Sequence, residues 1–249
     1  MKLTLTEPRF LKEPITIISD LVTDVKFKVG RDKIELRAMD PANVAMVIFK
    51  LLSTAFVEYN VEEEKEIAVN LESLKNIMRR AKPTDTITLE LDEEKNMLRI
   101  QLKGESIRTF NMSLIELDEA EQKVPDLKFP VTIEMPTMLF DEAVEDMDII
   151  SESILLSVEH KKFFINASGT TNTASIEITT DDETTIKSET NERIQSRYSI
   201  EYLKKLIRAS RLTDTVNIKF GKDYPLLLEY NVTDKLQFRA ILAPRVSET

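Results

Sequence analysis

"LKNIMRRAKPTDT" (residues 74–86) and "LKKLIRASRLTDT" (residues 203–215) are two writings of one segment, and their separation of 129 residues decides how the chain is read. Sliding the sequence against itself by that offset lays Leu71–Leu91 over Ile200–Phe220 without a gap. Seven of 21 positions are identical: Glu72/Glu201, Leu74/Leu203, Lys75/Lys204, Arg79/Arg208, Thr84/Thr213, Asp85/Asp214 and Thr86/Thr215. Chance gives roughly one or two, so the match signals duplicated architecture. The same offset lays "VKFKVGRDKIELRAMDPANVAMVIF" from Val25 over "ILLSVEHKKFFINASGTTNTASIEI" from Ile154. There Val29 meets Val158, Ile34 meets Phe163, Leu36 meets Ile165, Asn43 meets Asn172 and Ala45 meets Ala174.

Each copy reads as helix, strands, helix, strands. Leu71, Leu74, Ile77, Met78 and Ala81 recur at helical spacing. Asn70 and Ser199 share the position before that helix, where a side-chain oxygen satisfies free N–H groups. Glu72 and Glu201 fall in the first turn, where the helix dipole favours negative charge. "DTITLEL" and "DTVNIKF" then alternate with period two, as do Val25–Val29, Ile34–Ala38 and Ile154–Val158, which marks half-buried strands. The expected class is α+β, two topologically similar domains of antiparallel sheets with few helices. The boundary falls in "IELDEAEQKVPDLKFP", an acidic, proline-bearing stretch without periodicity. That gives domains 1–114 and 131–249 joined by a connecting loop, 115–130.

Composition narrows the function. At 249 residues, with 42% hydrophobic and 31% charged residues, the chain is an ordinary globular protein. No apolar run is long enough to span a bilayer and "MKLTLTEPRF" lacks a signal-peptide core, so a cytoplasmic address is expected. The absence of cysteine excludes disulfides, thiol catalysis and thiolate metal sites. The net charge of −10 argues against indiscriminate nucleic-acid binding, but a polyanion responds to local potential rather than to the sum.

Local charge is uneven. Lys75, Arg79 and Lys82 are spaced i, i+4, i+7, and Lys204, Arg208 and Arg211 repeat that spacing. Residues so spaced share a helix face, which makes each repeat helix apolar on one side and cationic on the other. A solvated face is the plain reading of one such stripe. Two stripes at matching positions in an otherwise acidic chain suit one polyanion, held by phosphate contacts that carry no base sequence.

Catalytic readings find little support. His160, the single histidine, sits in "VEHKKF", which reads as a hairpin turn, and has no evident partner. Acidic pairs such as Glu145/Asp148 arise by abundance and do not define an acid/base dyad. The four glycines, at 30, 104, 169 and 221, form no phosphate-cradling loop. No enzyme, cofactor or metal is expected.

Five pieces in order carry a resemblance: "LRAMDPANVAMV" (36–47), "NLESLKNIMRRA" (70–81), "VPDLKFP" (124–130), "FGKDYPLLLEY" (220–230) and "LAPRV" (242–246). Over essentially its full length the chain resembles the archaeal and eukaryotic sliding clamps, the proliferating-cell-nuclear-antigen family, and looks closer to the archaeal members. The resemblance implies a DNA polymerase processivity factor: three two-domain subunits closed into a ring around duplex DNA. Helices would line the hole and sheets form the outside, with the two cationic stripes turned to phosphate. It also implies partner enzymes (clamp loader, polymerase, flap endonuclease, ligase) that insert a short glutamine/aliphatic/aromatic segment. The matching pocket positions are Met39, Asn43, Val44, Met46, Val124, Pro125, Phe129, Pro225, Ile241, Ala243 and Pro244; the alternative for these apolar residues is core. Ring closure would pair the edge strands "SIRTFNMSL" (106–114) and "NTASIEITT" (172–180), with Arg80, Lys82 and Arg108 opposite Glu142 and Asp146.

Two places depart from the family. "FDEAVEDMD" carries Glu142 and Glu145, and Glu13 and Ser19 stand where relatives offer basic residues. Pro14 is expected to shorten or kink the first helix, or to begin it, making "ITIISDLV" the helix. DNA contact is therefore expected to concentrate on the two repeat helices, with a homotrimer or a mixed ring both compatible. A clamp-like scaffold in damage signalling and, in a different class, a carboxylate-based enzyme are the rival readings.

Overall fold

The computed structural model describes residues 1–118 and 122–245; positions 119–121 of the expected connecting loop and Val246 of the terminal motif lie outside the described residues. Two compact units result. Unit 1 comprises Met1–Asn43, Val47–Lys123 and Val232–Phe238; unit 2 comprises Val44–Met46, Val124–Asn231 and Arg239–Thr249. Two short segments are thus counted with the unit other than their sequence neighbours.

The first half runs β1 (Lys2–Leu5), α1 (Arg9–Ser19), β2 (Asp24–Val29), β3 (Lys33–Met39), β4 (Ala45–Leu52), β5 (Glu58–Asn60), β6 (Lys65–Asn70), α2 (Leu71–Met78), β7 (Thr86–Asp92), β8 (Met97–Lys103) and β9 (Ile107–Ser113). In unit 1 one sheet is ordered β5-β1-β7-β8-β9, and β6-β2-β3-β4 are neighbours in another. Leu3, Leu89 and Leu98 of the first sheet, Phe27 of the second, and Ile15 and Leu74 of the helices line one apolar void of 40 Å³. Sheets and helices therefore share one core, fed by the alternate residues that the strand period turns inward.

The second half runs β10 (Val131–Pro136), α3 (Thr137–Asp148), β11 (Ser153–Glu159), β12 (Lys162–Ser168), β13 (Thr173–Thr179), β14 (Thr185–Ser188), β15 (Ile194–Ser199), α4 (Ile200–Leu206), β16 (Thr215–Phe220), β17 (Leu226–Val232) and β18 (Leu236–Leu242). Unit 2 has the order β13-β12-β11-β15 in one sheet, and β14-β10-β16-β17 are neighbours in another. Phe163 of β12 and Phe220 of β16, both fully buried, meet at 6.3 Å between ring centroids.

The offset of 129 persists in the backbone. β3 and β12, β6 and β15, and β8 and β17 have the same limits once shifted by it. The pair Val25↔Val69 recurs as Ile154↔Tyr198. Leu71 N donates to Thr23 O at 2.8 Å, and Ile200 N to Glu152 O at 3.0 Å, the same bond in both copies. Helix capping is less uniform. The Asn70 side chain accepts from Ser73 N at 3.0 Å, whereas Ser199 holds the cap position without a side-chain capping bond.

Pro14 neither shortens nor begins α1, which runs Arg9–Ser19 with Pro14 inside. The Pro8 carbonyl accepts from Leu11 N at 3.1 Å and Lys12 N at 2.9 Å, starting the helix a turn before the proline. An interior proline costs about 3 kcal/mol. The buried face of Phe10, Leu11, Ile15, Ile17 and Ile18 offsets that cost.

His160 and Lys161 form the two-residue turn between β11 and β12, both left-handed at φ 49° and 61°. Such a turn favours Asn-Gly, and a non-glycine residue there costs about 1 kcal/mol. His160→Asn with Lys161→Gly is expected to raise stability by about 1 kcal/mol, read as a higher urea midpoint at unchanged slope.

Candidate nucleic-acid interface

Leu71, Leu74 and Met78 fix α2 on the unit 1 core and leave Arg79 and Arg80 exposed. Lys75 is only 17% exposed, bonded to Glu72 at 3.0 Å and lying 3.8 Å from Asp20 at the end of α1. The helix stops at Met78. Arg80 N then donates to Ile77 O and Ala81 N to Met78 O, each at 3.0 Å, in tighter turns. Lys82 therefore lies beyond the helix, against the expected continuous stripe, and pairs with Glu105 at 3.0 Å. The reason is the next residue: Pro83 drives Lys82 out of the helical region.

In unit 2, α4 spans seven residues and passes into a 3₁₀ turn, Ile207–Arg211. Arg208 and Arg211, three apart, align there because 3₁₀ geometry repeats every three residues. Lys204 is exposed and bonded to Asp148 at 2.5 Å. Glu142, Glu145, Asp146 and Asp148 are all exposed on α3, so the cations of this region belong to α4 and the 3₁₀ turn.

Sequence reading passed over Arg9 and Lys12. Both lie on α1 and line a hollow of 230 Å³ with Ala81 and Pro83. Lys12 Nζ donates to Ala81 O at 3.3 Å, placing an ammonium beside the tail of α2. The expectation that the helix breaks near Pro14 had hidden these two cations.

One cluster breaks the duplication. Asp85 is 1% exposed, and accepts from Lys82 N at 2.7 Å and from the Arg108 guanidinium. Arg108 also donates to Arg80 O at 2.8 Å. The Lys82 N–H, and then Arg108, hold the Asp85 carboxyl below the usual carboxylate range. A Cβ on Gly104 would stand 2.2 Å from Asp85 Oδ1, so glycine makes the room. The repeat-matched Asp214 is exposed; Thr233 and Gln237 occupy the places of Gly104 and Arg108. Arg108, expected to pair with another subunit, is engaged within its own chain.

Asp141, half buried on α3, has its Oδ1 buried without a hydrogen-bond partner among the described residues. Burial pushes its carboxyl up to about 6, with Glu145 adding and the Ser210 hydroxyl opposing. The folded state thus keeps a proton that the unfolded chain releases near pH 4. That contribution is complete below about pH 4 and is lost as pH rises through about 6. Asp141→Asn is expected to raise the urea midpoint most at about pH 8, by about half as much at about pH 5, and to approach wild type only below about pH 4.

The residues matched to a partner pocket divide. Met46 and Ile241 are 2% and 7% exposed and belong to the core. β4 is buried from Ala45 to Phe49 without alternation, as a strand covered on both faces is. In unit 2, Val44, Val124, Phe129, Pro225, Ala243 and Pro244 are half buried and Pro125 is exposed. Ala243 N donates to Val44 O at 2.8 Å. Phe129 meets Tyr224 edge-on, 5.8 Å between centroids, and Tyr198 OH donates to Tyr224 O at 2.7 Å. Tyr224, beside Pro225 in "GKDYP", was missed by the sequence reading. In unit 1, Met39 is half buried and Asn43 is exposed with φ 57°.

Residues 1–122 match the family described as "Proliferating cell nuclear antigen, N-terminal domain", and residues 123–245 its C-terminal counterpart. A "DNA polymerase sliding clamp" of Nanoarchaeum equitans (strain Kin4-M) is 34% identical over 247 residues, 98% of this chain and 99% of that protein. One of Pyrococcus furiosus is 36% identical over 234 residues, 94% of each. The crystal structure of PCNA from Thermococcus kodakaraensis matches with a TM-score of 0.91 at 27% identity, over 98% of this chain and 99% of that one. A duplicated fold with cationic helices, matched along its length in both domains, makes this chain a member of the proliferating cell nuclear antigen family.

Proposed function

We propose that this chain is a DNA polymerase sliding clamp, one subunit of a trimeric ring that encloses duplex DNA and tethers replication and repair enzymes. The observation that carries the reading is that each copy sets two exposed cations on or just after its second helix, Arg79 and Lys82 in one and Lys204 and Arg211 in the other, in a chain of net charge −10. The exposed Arg9 and the half-buried Lys12 add two cations on α1. Sequence-independent phosphate contact needs no more than this, and enclosure removes the need for tight grip.

Closure of the ring would use β9 and β13, each the last strand of its sheet. Exposed edges are a hazard that proteins ordinarily blunt, and pairing them across subunits conceals them. Ile107 on β9 and Met138 on α3 are 63% and 70% exposed, which suits burial in such a joint. Arg80, Glu142 and Asp146 would supply ion pairs around it. Partner enzymes would seat an aromatic-bearing peptide against Val44, Phe129, Tyr224 and Pro225. The family's role is processivity rather than catalysis, and no chemical step is assigned to the chain.

The test is retention. Rings loaded on closed circular duplex should stay bound and leave when the circle is cut, and should increase the length synthesised per polymerase binding event. Persistence on linear duplex with free ends contradicts enclosure. Retention without polymerase stimulation would favour a damage-signalling scaffold.

A further inference from the structure

Each repeat lysine is already answered by a carboxylate from the other helix of its own unit. Lys75 on α2 lies 3.8 Å from Asp20, the C-cap residue of α1. Lys204 on α4 lies 2.5 Å from Asp148, the last residue of α3. Lys75 and Lys204 occupy one repeat position, and the aspartates come from corresponding ends of corresponding helices. That end is the wrong one for an acid: the helix dipole is negative at its C-terminus and favours a cation there. Neither α1 nor α3 carries a basic residue in its last turn. Both copies therefore set an acid where the helix itself disfavours it, within reach of the repeat lysine, and Lys204 is one of the cations that face a polyanion in the proposed function.

We infer that Asp20 and Asp148 are internal competitors for phosphate: each holds its lysine when no phosphate is near and yields it when one arrives. Contact with the duplex then becomes exchange of one anion for another rather than addition of a new bond. The Lys204–Asp148 pair, with both side chains well exposed, is weak enough for an incoming phosphate to replace it, and the more covered Lys75–Asp20 pair yields less readily. Exchange keeps the balance close to even at every step along the helix, so the ring crosses phosphates without settling on any. The hydrogen bond from Lys204 to Asp148 also holds that ammonium above the ordinary lysine range, keeping its charge ready for transfer. In the first copy Glu72, at 3.0 Å, is the nearer carboxylate and shares the hold on Lys75 with Asp20, so the second copy carries the larger part of the effect.

This inference rests on the sliding-clamp reading, and its test separates the two. Binding of the full chain to a short blunt duplex is measured against salt for wild type, Asp20→Asn, Asp148→Asn and the double variant. The double variant is expected to bind about three- to tenfold more tightly at low salt, its salt slope steeper by about 0.9 for each lysine released. Loaded on a stretched duplex with blocked ends, it should diffuse several-fold more slowly, the difference closing as salt rises. Asp148→Glu, which keeps the carboxylate, should retain the wild-type slope, and Lys204→Gln added to Asp148→Asn should cancel the gain. A pair that merely ties α3 to α4 would lower the urea midpoint and leave slope and diffusion unchanged, which overturns the inference. Wild-type rings that are not held on a closed circle overturn the clamp reading instead.

Discussion

Replacing Lys75, Arg79, Lys204 and Arg208 together by glutamine is expected to cut duplex affinity at low salt by about a hundredfold, lowering the salt slope by about 0.9 for each phosphate no longer neutralised. Lys75, mostly covered, bonded to Glu72 and 3.8 Å from Asp20, should contribute least, so the slope should change by nearer three phosphates' worth than four per subunit. Loading onto circular DNA should fall with it. Assembly should not, because none of the four side chains lies on β9 or β13. Arg79 and Lys204 are exposed, Arg208 is half buried and Lys75 mostly covered, and the apolar face beneath them is held by Leu74 and Met78 in one copy and Leu203 and Ile207 in the other. The fold should therefore tolerate the change, with a denaturation midpoint near wild type. Loading at the wild-type rate would remove these residues from the DNA path.

The duplication was legible because it is written in buried positions. Val25, Phe27 and Val29 reappear as Ile154, Leu156 and Val158, and Ile34, Leu36 and Ala38 as Phe163, Ile165 and Ala167, all buried. Period-two alternation depends on side-chain polarity alone, so it survives without any knowledge of neighbours. The first two elements follow an offset one residue longer: Leu3 answers Ile133, Phe10 answers Phe140 and Ile17 answers Met147. A single offset could not reveal that slip, which falls between each first helix and the strand after it.

Elements whose fate depends on tertiary partners were less legible. Pro14 argued locally against a continuous helix, and the local argument lost to a buried apolar face. Helical spacing carried the cationic stripe too far, because Lys82 precedes a proline and Arg208 falls in a 3₁₀ turn. Asp85 and Asp214 are identical in sequence context yet opposite in burial. What separates them is a glycine 19 residues later and an arginine 23 residues later, and only the fold brings those near. The partner set shows the same limit: Met46 and Ile241 look like their apolar neighbours, and only burial assigns them to the core.

Ile107→Asp, Met138→Asp and the pair of them are expected to leave monomers at concentrations where wild type scatters light as a trimer. In the proposed joint each aspartate would be buried beside an apolar surface without a partner, and an unpaired buried charge costs several kcal/mol. Both side chains are exposed in the single chain, so the monomer should fold with an unchanged denaturation midpoint. Charge reversal probes the same joint more gently. Arg108 is a poor choice for it, because Arg108→Glu would set a carboxylate against the buried Asp85 and disturb the turn that carries Arg79 and Lys82. Arg80 is exposed and lies on the same turn. Arg80→Glu and Glu142→Arg should each weaken assembly, by about 1 kcal/mol for a pair near the surface, and the double reversal should recover it. Trimers that persist in the aspartate variants would move the joint away from β9 and α3, and with it the wall that is proposed to close around DNA.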